Sequence, residues 1–153
     1  MKFIKRNHNN WKTPKYLLNQ IENEFGKCFD PCPLNSNFDG LKIEWKKVNY
    51  INPPYNMKDK EAFIKKAFEE SKQEKKCIML LPVSTSTKIF HEIILPNAEI
   101  RFFKGRPKFE GFNTLGELRK DRGGSHDSML VIFGGKKGIF GNFLIKNEKE
   151  NVS

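Results

Sequence analysis

Cysteine and arginine are scarce in this 153-residue sequence, and long apolar runs are absent. The three cysteines, Cys28, Cys32 and Cys77, are an odd number, which favours reduced thiols over a disulfide framework. A zinc site needs four ligands, and Cys28 with Cys32 has no second pair, so we expect no metal. No apolar run approaches the ~20 residues of a membrane span, and the first ten residues lack the apolar stretch of a secretory signal. The sequence therefore predicts a cytoplasmic protein with no membrane association.

The composition is that of one folded domain with an excess of positive charge. Hydrophobic residues make up 37% of the chain and aromatic residues 12%, which is enough for one core. We expect a single domain over residues 1–145, beginning with a flexible arm at 1–10, and a loose tail at 146–153. The net charge of +10 predicts a polyanionic partner, although a general bias towards lysine gives the same excess. The arginines are more informative, because four of the five lie between Arg101 and Arg122.

The tetrapeptide Asn52-Pro53-Pro54-Tyr55 is the most informative stretch. It follows a short apolar run and precedes a helical pattern, which predicts a strand-to-helix turn. Ligands of open α/β sheets bind at the carboxyl ends of the strands. Asn52 offers an amide oxygen, and the two prolines fix φ and lack N–H donors, so their carbonyls are held rigidly. With Tyr55 as a stacking ring, the turn can hold a planar group that bears an exocyclic amino group.

Periodicity predicts the other elements of an α/β domain. Thr13 and Pro14 predict the start of a helix that Gly26 ends. Residues Lys60–Ser71 predict an amphipathic helix with Glu70 on its wet face. The predicted strands are Lys27–Asp30, Leu41–Trp45, Cys77–Leu81, Ala98–Phe103, Ser128–Phe133 and an edge strand at Ile139–Ile145.

Residues 110–127 are rich in glycine and charge and lack periodicity, so we interpret them as a long loop, either functional or disordered. The basic residues of this loop and of the segment before it are the predicted nucleic-acid contacts: Arg106, Lys108, Arg119, Lys120 and Arg122. Residues Ser125–Ser128 contain Ser, His and Asp, but neighbours in sequence cannot form a hydrolase triad, whose members meet through the fold.

Four segments occur in the order and spacing of a known family. They are Trp11-Lys12-Thr13-Pro14, Phe29-Asp30-Pro31-Cys32, Gly40-Leu41 with Trp45, and Asn52-Pro53-Pro54-Tyr55. In these segments the chain resembles the phage-type (Dam-like) DNA N6-adenine methyltransferases, which use S-adenosylmethionine. The usual Asp-x-Gly-x-Gly cofactor motif is absent, and only 22 positions separate Asp30 from Asn52. A βαβ unit takes about 30 residues, so the resemblance implies a reduced Rossmann-like methyltransferase fold of the α/β class, with a mixed, mostly parallel sheet flanked by helices.

The resemblance also implies a role for each segment. Asn52, Pro53, Pro54 and Tyr55 would be catalytic: the Asn52 side chain and the Pro53 carbonyl accept the hydrogens of adenine N6, and Tyr55 stacks on a base flipped out of the duplex. S-adenosylmethionine is the implied cofactor, without a metal. DNA is the implied partner, in the bacterial host of a phage- or prophage-encoded enzyme. The residues implied to hold the cofactor are Trp11, Thr13, Pro14, Asp30, Pro31, Cys32 and Asn52.

The residues leave other functions open. The methylated amino group could be N4 of cytosine or N6 of adenine in RNA, whereas the positive charge disfavours a protein glutamine. Cytosine N4 enzymes more often begin this motif with Ser than with Asn. The missing glycines also allow a nucleic-acid-binding module without catalysis, and failure to bind S-adenosylmethionine would favour that module.

Overall fold

The computed structural model describes residues 11–34, 36–107, 110–112, 118–120 and 126–146, with the backbone alone for residues 11, 110–112, 118–120 and 140. The elements are β1 (Trp11–Lys12), α1 (Lys15–Phe25), β2 (Val48–Ile51), α2 (Met57–Ser71), β3 (Lys76–Pro82), α3 (π-helical Phe90–Ile94 continued by α-helical Leu95–Asn97), β4 (Ala98–Lys104), β5 (Glu110–Phe112), β6 (Leu118–Lys120), β7 (Ser128–Phe133) and β8 (Gly138–Leu144). None of the helices in these ranges is long and apolar enough to cross a membrane.

Five strands form the main sheet, in the order β2-β3-β7-β4-β8. β2 pairs with β3 and β4 with β8 in parallel, whereas β7 lies antiparallel between β3 and β4. Phe29 extends the sheet beyond β2 through a parallel bridge with Asn49. The strands other than β7 therefore end at one edge, which we call the carboxyl edge. The predicted mixed sheet with flanking helices is confirmed, and β8 is the predicted edge strand.

Helices cover both faces of the main sheet. Leu17 and Ile21 of α1 pack on the face that carries Tyr50 and Ile78. Helices α2 and α3 cover the other face with Phe63, Ile64, Ala67, Phe90 and Ile94. Because successive strand residues point to opposite faces, β3 is apolar at every central position, as expected of a strand buried on both sides. The prediction of a buried strand at Cys77–Leu81 is confirmed.

A second sheet, of three short strands, joins distant parts of the chain. β1 pairs antiparallel with β5, and β5 pairs antiparallel with β6. The prediction that residues 110–127 form a loop was therefore wrong for 110–112 and 118–120. These strands depend on pairing with β1, far away in the sequence, and local periodicity carries no sign of such a partner.

The segment before β2 folds without the predicted strands. Residues 41–45 are irregular, and of Lys27–Asp30 only Phe29 pairs with the sheet. The indole N–H of Trp45 donates to the Gly40 carbonyl at 2.7 Å, and the ring is buried. This contact curls the chain back on itself, whereas an extended strand would hold the two residues about 16 Å apart at ~3.3 Å per residue.

Both long helices begin at residues other than the predicted ones. Pro14 is the N-cap of α1, and Thr13 does not cap the helix because its hydroxyl contacts Tyr50 instead. Helix α2 begins at Met57 rather than Lys60, because Asn56 Oδ1 accepts from Asp59 N at 2.9 Å and caps the helix there. The predicted end of α1 at Gly26 is confirmed.

Glu70 was predicted on the wet face of α2, and this was wrong, since it is only 5% exposed. Its carboxylate accepts from the Trp45 backbone N–H and from Lys75 Nζ, and Lys66 Nζ lies 3.7 Å away. Burial by itself raises the pKa of this carboxyl, but the N–H and the two lysines outweigh burial and hold the pKa below 4.5. Helical spacing places Glu70 on the same face as Phe63 and Ala67, but its charge suggested exposure, and the partners that satisfy the carboxylate lie outside the helix.

Glu70→Gln is expected to lower the free energy of unfolding by about 2 kcal/mol at neutral pH, the scale of a buried hydrogen bond to a charged group. The folded pKa lies below the unfolded value of 4.5, so this contribution is full above pH 4.5 and is lost as the pH falls through the folded pKa. Urea unfolding measures it. The control is the exposed Glu69→Gln, with an expected change within ~0.5 kcal/mol. Equal losses in both variants would contradict the role of Glu70.

Candidate active site

Two polar turns meet at the carboxyl edge. Phe29 N donates to the Val48 carbonyl and Tyr50 N donates to the Phe29 carbonyl, each at 2.9 Å. These bonds hold Phe29 alongside β2, so the chain leaves the sheet at Asp30 and at Asn52 from neighbouring positions. In open α/β sheets this edge is where ligands bind.

The Asn-Pro-Pro-Tyr turn is enclosed at its first three residues and open at its last. Asn52 is 7% exposed, Pro53 and Pro54 are buried, and Tyr55 is 44% exposed. The turn is anchored at both ends, by β2 before it and by the Asn56 cap of α2 after it. The predicted strand-to-helix placement of the tetrapeptide is confirmed.

A chain of hydrogen bonds orients the Asn52 amide. Asn52 Nδ2 donates to Thr13 Oγ1 at 3.3 Å, and Thr13 Oγ1 lies 2.6 Å from the Tyr50 hydroxyl oxygen. All three residues are buried. Because Nδ2 is turned towards Thr13, the amide oxygen Oδ1 is directed to the other side. The structure thus brings together Thr13 and Asn52, which lie 39 positions apart in sequence.

The Asp30-Pro31-Cys32 turn is stabilised by its own carboxylate. Asp30 Oδ1 accepts from Cys32 N at 2.8 Å, while Asp30 remains exposed. Pro31 is buried, and the Cys32 side chain packs in the core on the α2 face of the sheet. The turn can offer a ligand the Asp30 carboxylate and backbone groups, whereas the Cys32 side chain serves packing.

The structure describes only part of the predicted nucleic-acid contacts. Arg106 follows β4 at the carboxyl edge, and its Nε donates to Asp127 Oδ1 at 3.0 Å. Arg119 and Lys120 lie in β6, where the backbone alone is described, and Lys108 and Arg122 lie outside the described residues. For Trp11, predicted as a cofactor contact, the backbone alone is likewise described, as the first residue of β1.

Sequence reasoning missed two residues at this edge. The first is Tyr50, although a signal was available: residues two apart in an extended chain point to the same face, so Tyr50 and Asn52 share one. The second is Asp127, which pairs with Arg106 and whose carbonyl accepts from Val83 N at 2.9 Å. No sequence pattern indicates that Asp127 pairs with Arg106.

Two of the three thiols, those of Cys28 and Cys77, are held in the protonated form by their surroundings. Burial raises the pKa of Cys77 to about 12, and burial together with the nearby Glu22 raises the pKa of Cys28 to about 11. Both thiols therefore stay protonated at neutral pH, and the thiolate is the reactive form. In the part of the chain that the structure describes, no three metal-ligating side chains come together.

The fold is that of an α/β protein, and its carboxyl edge brings together an amide, a hydroxyl and a carboxylate as a candidate ligand site. Comparison with known proteins identifies the family. The chain belongs to the DNA N-6-adenine-methyltransferase (Dam) family, whose model matches residues 2–153. A relative from Escherichia phage T1, a DNA N-6-adenine-methyltransferase, is 32% identical over 103 aligned positions, which cover 59% of this chain and 42% of the relative. The chain thus spans less than half the length of that relative.

Proposed function

We propose that this chain transfers a methyl group from S-adenosylmethionine to N6 of adenine in DNA, on a reduced Rossmann-like fold. The observation that carries the proposal is the Asn52 amide, oriented by Thr13 at 3.3 Å and followed by two buried prolines at the carboxyl edge. Membership of the family and the name of the phage relative support it. DNA as the substrate agrees with a site of action in the cytoplasm of a bacterial host.

The residues of this edge fit S-adenosylmethionine by their chemistry. That cofactor carries a cationic ammonium group and ribose hydroxyls, which call for acceptor oxygens. Asp30 offers an exposed carboxylate, and Thr13 and Asn52 offer oxygens at the neighbouring turn. We assign the cofactor to these three residues, completed by Trp11, Pro14, Pro31 and Cys32. When bound, S-adenosylmethionine supplies an electrophilic methyl group.

In this proposal the Asn-Pro-Pro-Tyr turn activates adenine N6, which is a poor nucleophile. The lone pair of adenine N6 is delocalised into the ring, which weakens its attack. Asn52 Oδ1 and the Pro53 carbonyl accept the two N6 hydrogens and favour a more tetrahedral nitrogen. Because Thr13 and the prolines hold both acceptors beforehand, little reorganisation is needed during the reaction. As N6 takes the methyl group, the bond between that carbon and the sulfonium sulfur would break, S-adenosylhomocysteine would be the leaving group, and one N6 proton would depart to water.

The target adenine must leave the duplex, because its amino group is paired there. Tyr55 follows the two buried prolines directly and is 44% exposed, which supports its assignment as the residue that stacks on an extruded base. Stacking of a base on an aromatic side chain contributes ~1–3 kcal/mol. In this proposal Tyr55 covers the face of the flipped adenine.

We assign the binding of DNA phosphates to basic residues at the carboxyl edge and in the segment that follows β4. The net charge of +10 favours a polyanion, and Arg106 is described at the same edge as Asn52. We assign the same role to Lys108, Arg119, Lys120 and Arg122 from their positions in sequence.

Arg106→Ala is expected to weaken DNA binding and to reduce the slope of log affinity against log salt by about one. The Arg106–Asp127 pair is exposed, so its loss changes stability by less than ~1 kcal/mol. Fluorescence anisotropy across a salt titration measures the slope. The control is Lys72→Ala. Lys72 is exposed and follows the C-terminal end of α2, whereas the carboxyl edge lies at the N-terminal end of that helix. An unchanged slope in Arg106→Ala would contradict the assignment.

Calorimetry with S-adenosylmethionine and S-adenosylhomocysteine, followed by tritium transfer to DNA, tests the proposal. Nucleoside analysis of the labelled DNA distinguishes N6-methyladenine from N4-methylcytosine, and an RNA substrate serves for comparison. Cofactor binding together with N6-methyladenine in DNA supports the proposal. A folded protein that binds DNA but neither cofactor would instead be a non-catalytic nucleic-acid-binding module.

A further inference from the structure

Tyr50 is buried and is linked to the proposed catalytic amide of Asn52 through Thr13. It is the third residue of β2, it is 4% exposed, and its ring packs with Leu17 and Ile21 of α1. Such a ring needs no hydroxyl for packing, and a buried hydroxyl normally requires a hydrogen-bond partner. Here the partner is Thr13 Oγ1 at 2.6 Å, and the same Oγ1 accepts from Asn52 Nδ2.

The direction of these bonds determines which end of the amide faces the substrate. A hydroxyl has one hydrogen and two lone pairs, so when Thr13 donates its hydrogen to the Tyr50 hydroxyl, Oγ1 can only accept from Asn52. Nδ2 is therefore kept towards Thr13, and Oδ1 is kept towards the opposite side. An amide turned by 180° would present its own NH₂ group to the adenine NH₂, where neither can accept.

We propose that Tyr50 is a positioning residue, which acts through Thr13 to hold the Asn52 amide with its oxygen towards the target amino group. The ring of Tyr50 is fixed by the core, and Thr13 is fixed between β1 and α1. Thr13, the partner of the amide, is thus held by Tyr50 and by its position between two elements, and it restricts the rotation of the amide before any ligand binds. The orientation of the amide does not depend on the proposed methyl transfer. Only the role of Oδ1 as acceptor for an N6 hydrogen rests on that proposal.

Tyr50→Phe is the first test, because it removes the hydroxyl and keeps the buried ring. The kcat of methyl transfer is expected to fall roughly five- to tenfold, the scale of one hydrogen bond, with the KM for DNA unchanged. Tyr16→Phe is the matched control, since Tyr16 packs against the same core cluster. Thr13→Ser keeps a hydroxyl and should retain most of the activity, whereas Thr13→Val should lower kcat at least as much as Tyr50→Phe does. In the Thr13→Val background, Tyr50→Phe should have no further effect, because the two changes break one chain of bonds.

A second readout does not depend on activity. The side-chain NH₂ of Asn52, assigned in the ¹⁵N spectrum by its loss in Asn52→Asp, should exchange slowly with solvent in the wild type and faster in Tyr50→Phe. Unchanged kcat and unchanged exchange in Tyr50→Phe would overturn the proposal. If the wild type transfers no methyl group but the exchange still responds to Tyr50→Phe, then the methyl-transfer proposal fails and the positioning of the amide stands.

Discussion

Replacing Asn52 with alanine is expected to reduce methyl transfer by about two to three orders of magnitude, the scale for removing one preorganised polar group from a reacting centre. The change deletes Oδ1, the proposed acceptor for an N6 hydrogen, and Nδ2, which donates to Thr13. Affinity for S-adenosylmethionine should fall far less than transfer does, because Asp30 and Thr13 remain as cofactor contacts, together with Pro14 and Pro31. Tritium incorporation into DNA measures transfer, and calorimetry measures cofactor binding.

Asn52→Asp is the matched variant. Aspartate has the same shape and keeps acceptor oxygens, but it lacks the N–H that donates to Thr13 at 3.3 Å. Its activity should therefore lie between those of the wild type and Asn52→Ala. Near-normal transfer in Asn52→Ala would remove Asn52 from the proposed chemistry. Equal losses in the two variants would mean that the donor side of the amide, rather than its oxygen, is the essential part.

The placement of the Asn-Pro-Pro-Tyr turn could be predicted because its signals are local. Pro53 and Pro54 stop β2 and a helical pattern follows them, so the order of strand, turn and helix could be predicted, although the helix begins at Met57 rather than at the predicted Lys60. The buried strand β3 was predictable for the same reason, since burial on both faces leaves a continuous apolar run. These are the features in which the chain's own neighbours in sequence decide the structure.

The features that escaped prediction depend on partners distant in sequence. The strands β5 and β6 form with the help of β1, and Glu70 is buried because Trp45 and Lys75 neutralise its carboxylate. The Tyr50 hydroxyl gained its role from Thr13, 37 positions away. Periodicity indicates the faces on which Glu70 and Tyr50 lie, but a pattern of apolar and polar residues does not identify the distant partners of their polar groups.

The segment between the two polar turns shows how a short motif can encode a close approach rather than an element. Gly40 is buried, its carbonyl accepts from the Trp45 indole, and a Cβ built on it would overlap the Pro31 carbonyl oxygen. Backbone packed against backbone leaves no room for a side chain. The Gly-Leu and Trp of the resemblance therefore correspond to one structural unit that supports the Asp30-Pro31-Cys32 turn.

Gly40→Ala is accordingly expected to lower the free energy of unfolding by about 3 kcal/mol, at the upper end of the usual cost of overpacking. The added methyl group must push the Pro31 carbonyl away and displace the turn that carries Asp30. Affinity for S-adenosylmethionine should fall by about tenfold or more, since a displacement of ~1 Å is enough for losses of this size or larger at a positioned site. Thermal unfolding and calorimetry measure the two effects separately.

Gly135→Ala is the control that separates stability from binding. Gly135 follows β7, at the edge of the sheet opposite the carboxyl edge. A Cβ there would lie 2.6 Å from Glu99 Oε1, which is the end of a side chain rather than backbone. It should lower stability less than Gly40→Ala and leave cofactor affinity unchanged. If Gly40→Ala is destabilised but binds the cofactor as the wild type does, the Asp30 turn is a structural support only. Cofactor binding would then depend on Thr13 and Asn52, whose hydrogen bond does not involve that turn.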